Sequence, residues 1–198
     1  LARRIPEADR KAKEDFDGKI IGNAVWNKTL GIIGFGKIGQ RVAKRAAGFN
    51  MKTLVYDVVK KEKLKNELEF NYVKFKQLLR KSDFISLHVP LNDKTRGLID
   101  EKNLSLMREE AFLINTSRGG IVDENALYQA LKNNNIKGAA LDVHEKEPSQ
   151  SPLKSLNNVI LTPHMGAHTK EAIEKMGVRA AQNLITVLNG EYPAHIVN

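Results

Sequence analysis

Between Thr29 and Gly39 the chain passes from a short apolar stretch, through Gly34-Phe35-Gly36-Lys37-Ile38-Gly39, into residues with helical spacing. This junction constrains the fold more than any other feature. Thr29 to Gly34 is too short for a helix and apolar throughout, which is the pattern of a strand buried on both faces. Ile38 to Ala47 follows at once, with Ile38, Val42 and Ala46 at helical intervals. A strand that turns directly into a helix belongs to a layered α/β architecture.

The rest of the chain repeats that order. Thr53 to Tyr56, Tyr72-Val73, Asp83 to Val89 (ended by Pro90), Ala111 to Asn115, Ala139 to Val143 and Val159 to Leu161 read as strands. Phe75 to Arg80, Glu101 to Met107, Glu124 to Asn133 and Thr169 to Leu188 read as helices. Asp123 is a candidate N-cap, and Gly190 a stop for the last helix. Leu1 to Phe16 is polar and helix-prone, as in a helix that bridges domains. Strands alternating with helices predict a parallel sheet covered on both faces. The two similar halves, Thr29 to Val89 and Ala111 to Leu161, predict the doubly wound Rossmann form.

Composition narrows the function classes. Hydrophobic residues make up 41% of 198, enough for a core, and no apolar run approaches the roughly 18 residues of a membrane span. There is no cysteine, so disulfides, thiolate catalysis and Cys-based metal sites are excluded, and a reducing compartment fits. No secretory leader is visible at the start. The net charge of +9 comes from basic residues scattered among acids, as in Lys60-Lys61-Glu62-Lys63, and not from a stripe interleaved with aromatics. That argues against nucleic acid and leaves solubility or attraction of small anions. His164 and His168 are four apart, but Pro163 and Gly166 break any helix there and no third ligand is evident, so no metal is expected.

Each part of the glycine turn has a physical task. Gly34 permits the tight turn, Gly36 leaves room for a pyrophosphate to approach the backbone, and Gly39 lets the helix lie close to the strand. The helix N-terminus offers free N–H groups to phosphates. Asp57 closes the next strand, 18 residues beyond Gly39, where a carboxylate accepts bonds from ribose hydroxyls. It would repel a 2′-phosphate, so NAD is the expected cofactor in preference to NADP; Lys60 and Lys61 soften that preference.

In the second half, Phe112-Leu113-Ile114 runs into Asn115-Thr116-Ser117-Arg118-Gly119-Gly120. The next two strands run into Asp142-Val143-His144-Glu145-Lys146-Glu147-Pro148 and Thr162-Pro163-His164-Met165-Gly166-Ala167. Arg118, an acid near Pro148 and His164 therefore all follow parallel strands and are expected at one rim of the sheet. A guanidinium there can grip a carboxylate through two parallel hydrogen bonds. A histidine can take the proton of an alcohol, and a carboxylate on its other ring nitrogen sets its tautomer.

These motifs, in this order and spacing, resemble the nucleotide-binding domain of the D-isomer-specific 2-hydroxyacid dehydrogenases, over the whole length from Leu1 to Asn198. The resemblance implies residue roles. Arg118 would hold the substrate carboxylate, His164 would be the proton donor in reduction, and Glu147 its acid partner. Asp142 would lie near the nicotinamide carboxamide, Lys37 and Ile38 over the pyrophosphate, and Val89, Pro90 and Thr116 along the cofactor channel. His164 and Gly166 would also border the cofactor. Lys37 stands where arginine is frequent, His144 where an aromatic residue is common, and His168 where Ser or Thr is common. The resemblance further implies a small 2-hydroxy or 2-oxo acid as substrate, a homodimer and a cytoplasmic enzyme. Its substrate domain would lie outside this chain. Residues 1–16 would form an inter-domain helix, 29–165 the Rossmann core and 169–189 a long C-terminal helix. The Asn115–Gly120 and Leu161–Thr169 segments look most like the D-3-phosphoglycerate dehydrogenases of serine biosynthesis. Glyoxylate, hydroxypyruvate and D-lactate enzymes, and dinucleotide-sensing corepressors, share the same motifs.

Overall fold

The computed structural model describes residues 1–14, 16–146 and 150–193, with the backbone alone at 65 and 66. The chain forms two compact units, Leu1–Pro163 and His164–Asn198. The first carries a sheet of seven strands: β1 Thr29–Ile33, β2 Lys52–Tyr56, β3 Asn71–Tyr72, β4 Phe84–Leu87, β5 Phe112–Asn115, β6 Gly138–Leu141 and β7 Val159–Leu161. Their spatial order is β3-β2-β1-β4-β5-β6-β7, and every neighbouring pair is parallel. The order reverses between β1 and β4, so the doubly wound form expected from the alternation is the form observed. The crevice beyond the carboxyl ends of β1 and β4 is where ligands of such sheets bind.

Both sheet faces are buried, which is why the strands read as apolar runs instead of alternating ones. On one face, Leu30, Ile32, Val55, Phe84 and Phe112 pack with Phe35, Phe70 and with Ala43 and Ala46 of α2 (Lys37–Ala46). On the other, Ile33, Ile85, Leu87 and Leu113 pack with Leu78 and Leu79 of α3 (Phe75–Lys81), Leu104 of α4 (Glu101–Leu104) and Leu127 and Leu131 of α5 (Glu124–Lys132). Ile32, Ile33, Ile85, Leu87 and Leu113 are fully buried. Each contributes about 1.5–3 kcal/mol relative to exposure. Among the described residues no helix is long and apolar enough to cross a membrane.

Several element ends differ from the sequence reading, each for a local reason. The first helix, α1, covers only Ile5–Ala12, because Arg4 before it is left-handed (φ 53°) and Pro6 sits in its first turn. Ala2 instead joins the core beside Phe112. β1 stops at Ile33 because Gly34 turns to φ +93°. α4 ends at Leu104 and tightens into i→i−3 bonds, Leu106 to Asn103 and Met107 to Leu104, which delivers the Met107 side chain into the core. Short 3-10 turns at Ala47–Phe49, Glu62–Asn66, Gly119–Ile121 and Pro152–Ser155 have no periodic signature and were not expected. The cap at Asp123 is present: its carboxylate accepts the N–H groups of Asn125 and Ala126, both at 3.0 Å.

Among its described residues the second unit carries a turn and α6, Lys170–Leu188. The Thr169 hydroxyl caps its start by accepting the Ala172 N–H at 3.1 Å. Gly190, at φ +78°, follows its end and donates to the Val187 carbonyl.

Candidate cofactor site

The sheet register places the expected site residues in one row. Tyr56, Ile33, Leu87, Asn115, Leu141 and Leu161 are successive partners across β2, β1, β4, β5, β6 and β7. The residue after each is therefore the first beyond the carboxyl rim: Asp57, Gly34, His88, Thr116, Asp142 and Thr162. Val89 and Pro90 follow His88 along the same rim, and Ser117 and Arg118 follow Thr116.

At the β1 end, the three glycines meet three different neighbours. A Cβ on Gly34 would lie 2.4 Å from the His88 carbonyl oxygen, in addition to its positive φ. A Cβ on Gly39 would lie 2.2 Å from the Gly34 carbonyl oxygen. A Cβ on Gly36 would meet nothing within 4 Å. Gly34 and Gly39 are thus fixed by the protein's own packing, whereas Gly36 faces open space at the first turn of α2, a cradle that a side chain would fill. Lys37 and Ile38 are exposed beside it. This is the arrangement that a pyrophosphate requires, with free helix N–H groups and backbone accessible to oxygen.

Asp57 is half-buried and held from two sides. One carboxylate oxygen accepts the Phe35 N–H at 2.5 Å and the other accepts the Val59 N–H at 2.9 Å. The carboxylate is thereby fixed over the glycine turn, with lone pairs left for ribose hydroxyls. The Phe35 carbonyl accepts from Gln40 Nε2 at 2.8 Å and from Lys61 Nζ at 3.3 Å.

His88 closes β4. Its N–H donates to the Ile33 carbonyl at 2.7 Å, and a 2.9 Å hydrogen bond joins its Nε2 to Ser86 Oγ. Burial pushes its imidazole below the ordinary value of 6.5, so the ring is neutral at pH 7.

The turn carrying Arg118 is built by a side chain that the sequence reading did not single out. Asn115 is 1% exposed; its Oδ1 accepts the Ser117 N–H at 3.0 Å, and its Nδ2 donates to the Arg118 carbonyl at 2.9 Å. Ser117 Oγ donates to the Leu87 carbonyl. Asn at a strand end followed by small polar residues is the sequence signal for such a turn. Arg118 itself is exposed and uses one N–H on the Ser117 carbonyl, at 2.6 Å, leaving the rest of its fork for a ligand. Asp142 is buried and accepts the Thr162 hydroxyl at 2.6 Å.

A second supporting residue is Glu124, a buried acid whose Oε1 accepts the Glu145 N–H at 2.8 Å. A Cβ on Gly119 would lie 1.9 Å from the His144 carbonyl oxygen, so the turn after Arg118 meets the segment after β6 backbone to backbone. His144 Nε2 is 3.1 Å from the Thr162 carbonyl. Thus Gly34, Gly36, Gly39, Asp57, Val89, Pro90, Thr116, Arg118 and Asp142 share the first unit. His164, left-handed at φ 52°, and Gly166 belong to the second, and Glu147 lies outside the described residues. Among the described residues no three His, Asp or Glu side chains gather as a metal site.

Comparison with known proteins agrees with this geometry. Residues 1–166 match the family described as D-isomer specific 2-hydroxyacid dehydrogenase, NAD binding domain. The chain is 48% identical to a glyoxylate reductase of Thermococcus litoralis, over all of this chain and 63% of that protein. It is 43% identical to a D-3-phosphoglycerate dehydrogenase of Methanocaldococcus jannaschii, over all of this chain and 38% of that protein. The crystal structure of D-lactate dehydrogenase with NAD+ from Lactobacillus jensenii superposes with a TM-score of 0.88 at 32% identity, covering all of this chain and 64% of that one. The chain therefore spans less than two-thirds of these relatives. With a parallel Rossmann sheet, a glycine turn backed by an acid, and a family match over most of its length, the chain belongs to the D-isomer specific 2-hydroxyacid dehydrogenases, as their NAD-binding domain.

Proposed function

We propose that this chain is the cofactor-holding part of an NAD-dependent oxidoreductase that interconverts a D-2-hydroxy acid and its 2-oxo acid. The observation that carries the reading is the single row of Asp57, Gly34, His88, Thr116 and Asp142 along the carboxyl rim, with the open Gly36 above α2. Bound NAD supplies the hydride acceptor in oxidation, and its reduced form the donor in reduction. Asp57 holds the adenosine ribose. Gly36, Lys37 and Ile38 border the pyrophosphate, and Val89, Pro90 and Thr116 line the channel toward Asp142 at the nicotinamide end. Gly166 borders the same ligand. Arg118 grips the substrate carboxylate, and its charge polarises the adjacent oxo group. His164 gives a proton to the 2-oxo oxygen in reduction and takes it back in oxidation. Glu147 pairs with His164 and orients its ring for that transfer.

The substrate is a short 2-oxo acid. The relative of 48% identity bears the name glyoxylate reductase, which supports glyoxylate as the preferred acid. The relative of 43% identity, a D-3-phosphoglycerate dehydrogenase, supports 3-phosphohydroxypyruvate, the phosphoglycerate reading of the sequence and its place in serine biosynthesis. A homodimer in the cytoplasm completes the proposal.

The test is NADH oxidation by the full-length protein with glyoxylate, hydroxypyruvate, 3-phosphohydroxypyruvate and pyruvate. The expected result is turnover with at least one of them, lowered by about three orders of magnitude or more in Arg118→Ala and His164→Ala. No turnover with any 2-oxo acid, despite NADH binding, would favour a dinucleotide sensor instead.

A further inference from the structure

Thr162, the residue after β7, is gripped at three of its own groups by the end of β6. Its backbone N–H donates to the Leu141 carbonyl at 3.0 Å. Its hydroxyl donates to Asp142 Oδ1 at 2.6 Å. Its carbonyl lies 3.1 Å from His144 Nε2. A carbonyl oxygen can only accept, so that ring nitrogen carries the proton and donates it. Asp142 and His144 are both buried.

The imidazole reaches Thr162 from a fixed base. A Cβ on Gly119 would lie 1.9 Å from the His144 carbonyl oxygen, and the N–H of the next residue, Glu145, is held by Glu124 Oε1 at 2.8 Å. Of the three bonds to Thr162, the one from His144 holds the peptide that joins Thr162 to Pro163. That peptide is planar, and proline fixes its own φ. Little rotational freedom therefore remains between the Thr162 carbonyl and His164, which follows Pro163 with a left-handed φ of 52°. Turning that carbonyl redirects the chain that carries His164. We infer that His144 is a positioning residue for proton transfer: by holding the Thr162 carbonyl it aims the segment bearing His164. It acts through Thr162 and not on the substrate. This inference rests on the reading of His164 as the proton donor.

The test is steady-state NADH oxidation by the full-length protein, with the 2-oxo acid it turns over best, in the native enzyme, His144→Phe, His144→Gln and His144→Asn. Phe keeps a ring of similar size without a donor, and Gln keeps an N–H at a similar reach. His144→Phe should lower kcat by about tenfold to a hundredfold, the scale of a misaimed catalytic group, with the NADH dissociation constant changed by less than about twofold. Its solvent deuterium isotope effect on kcat should exceed the native one, because proton transfer then limits turnover. His144→Gln should recover most of kcat. His144→Asn, whose donor falls short of Thr162, should match His144→Phe and serves in its place if thermal melts show that the Phe variant does not fold. Native kcat in His144→Phe or His144→Asn, an unchanged isotope effect, or a Gln variant as slow as the Phe variant overturns the inference and leaves His164 as donor. Native turnover in His164→Ala, or no turnover of any 2-oxo acid by the native enzyme, overturns both.

Discussion

The carbonyl oxygen of Gly34 occupies the place where a methyl group on Gly39 would have to go: a Cβ there would lie 2.2 Å away. Helix α2 can start where it does because those two backbones touch. Gly39→Ala and Gly34→Ala must push backbone apart, and Gly34→Ala adds strain from φ +93°. Each should cost about 3 kcal/mol or more. Gly36→Ala meets no neighbour and has an ordinary φ of −73°, so its melting temperature should change by only a few degrees while NAD affinity falls. Calorimetry and NAD titration of the three variants check this. Equal destabilisation in all three would remove the distinction between packing and ligand glycines.

Asp57 touches the turn through Phe35 and Val59. Asp57→Ala should weaken NAD binding by about tenfold or more, the scale of a lost charged hydrogen bond, and NADP binding much less. The ratio of the two dissociation constants is the readout, and an unchanged ratio would count against the ribose assignment.

His88 gives a pH dependence. Burial lowers its pKa, so the folded state disfavours the protonated ring. Above the unfolded value near 6.5 both states are neutral and its contribution to stability is complete. As pH falls below that value the unfolded chain gains the proton first, and stability is lost until pH passes the folded pKa. Denaturant midpoints from pH 8 to 5 should fall in the native chain and fall less in His88→Asn.

Glu124 holds the segment after β6 through the Glu145 N–H. Glu124→Ala should leave that donor unpaired at a cost of about 1–3 kcal/mol and raise hydrogen exchange at the Glu145 amide. Glu124→Gln keeps a carbonyl oxygen and should restore most of the protection. Unaltered exchange in Glu124→Ala would show that the segment is held by Gly119 and His144 instead.

Much of this architecture was legible along the chain because strand and helix periods differ and the glycine turn joins them without a linker. The strand cores from β1 to β7 follow from apolar runs such as Ile32-Ile33 and Leu113-Ile114, and the cap at Asp123 from residue type and place. Element ends were less legible, since they depend on neighbours distant in sequence. Nothing near Leu104 announces that Met107 must turn into the core. The jobs of Asn115 and Glu124 were hidden for the same reason: a buried polar side chain is recognised by its partner, and Glu145 lies 21 residues from Glu124.

The residues alone determined an α/β chain with a glycine turn, an acid one strand later, and an arginine beyond a parallel strand. These are local matters of backbone freedom, apolar period and charge. Only the folded sheet decided that Tyr56, Ile33, Leu87, Asn115 and Leu141 stand in register. Register is set by hydrogen bonds between strands far apart in the chain. That alignment sets Asp57, Gly34, His88, Thr116 and Asp142, residues scattered over more than a hundred positions, along one rim of the sheet.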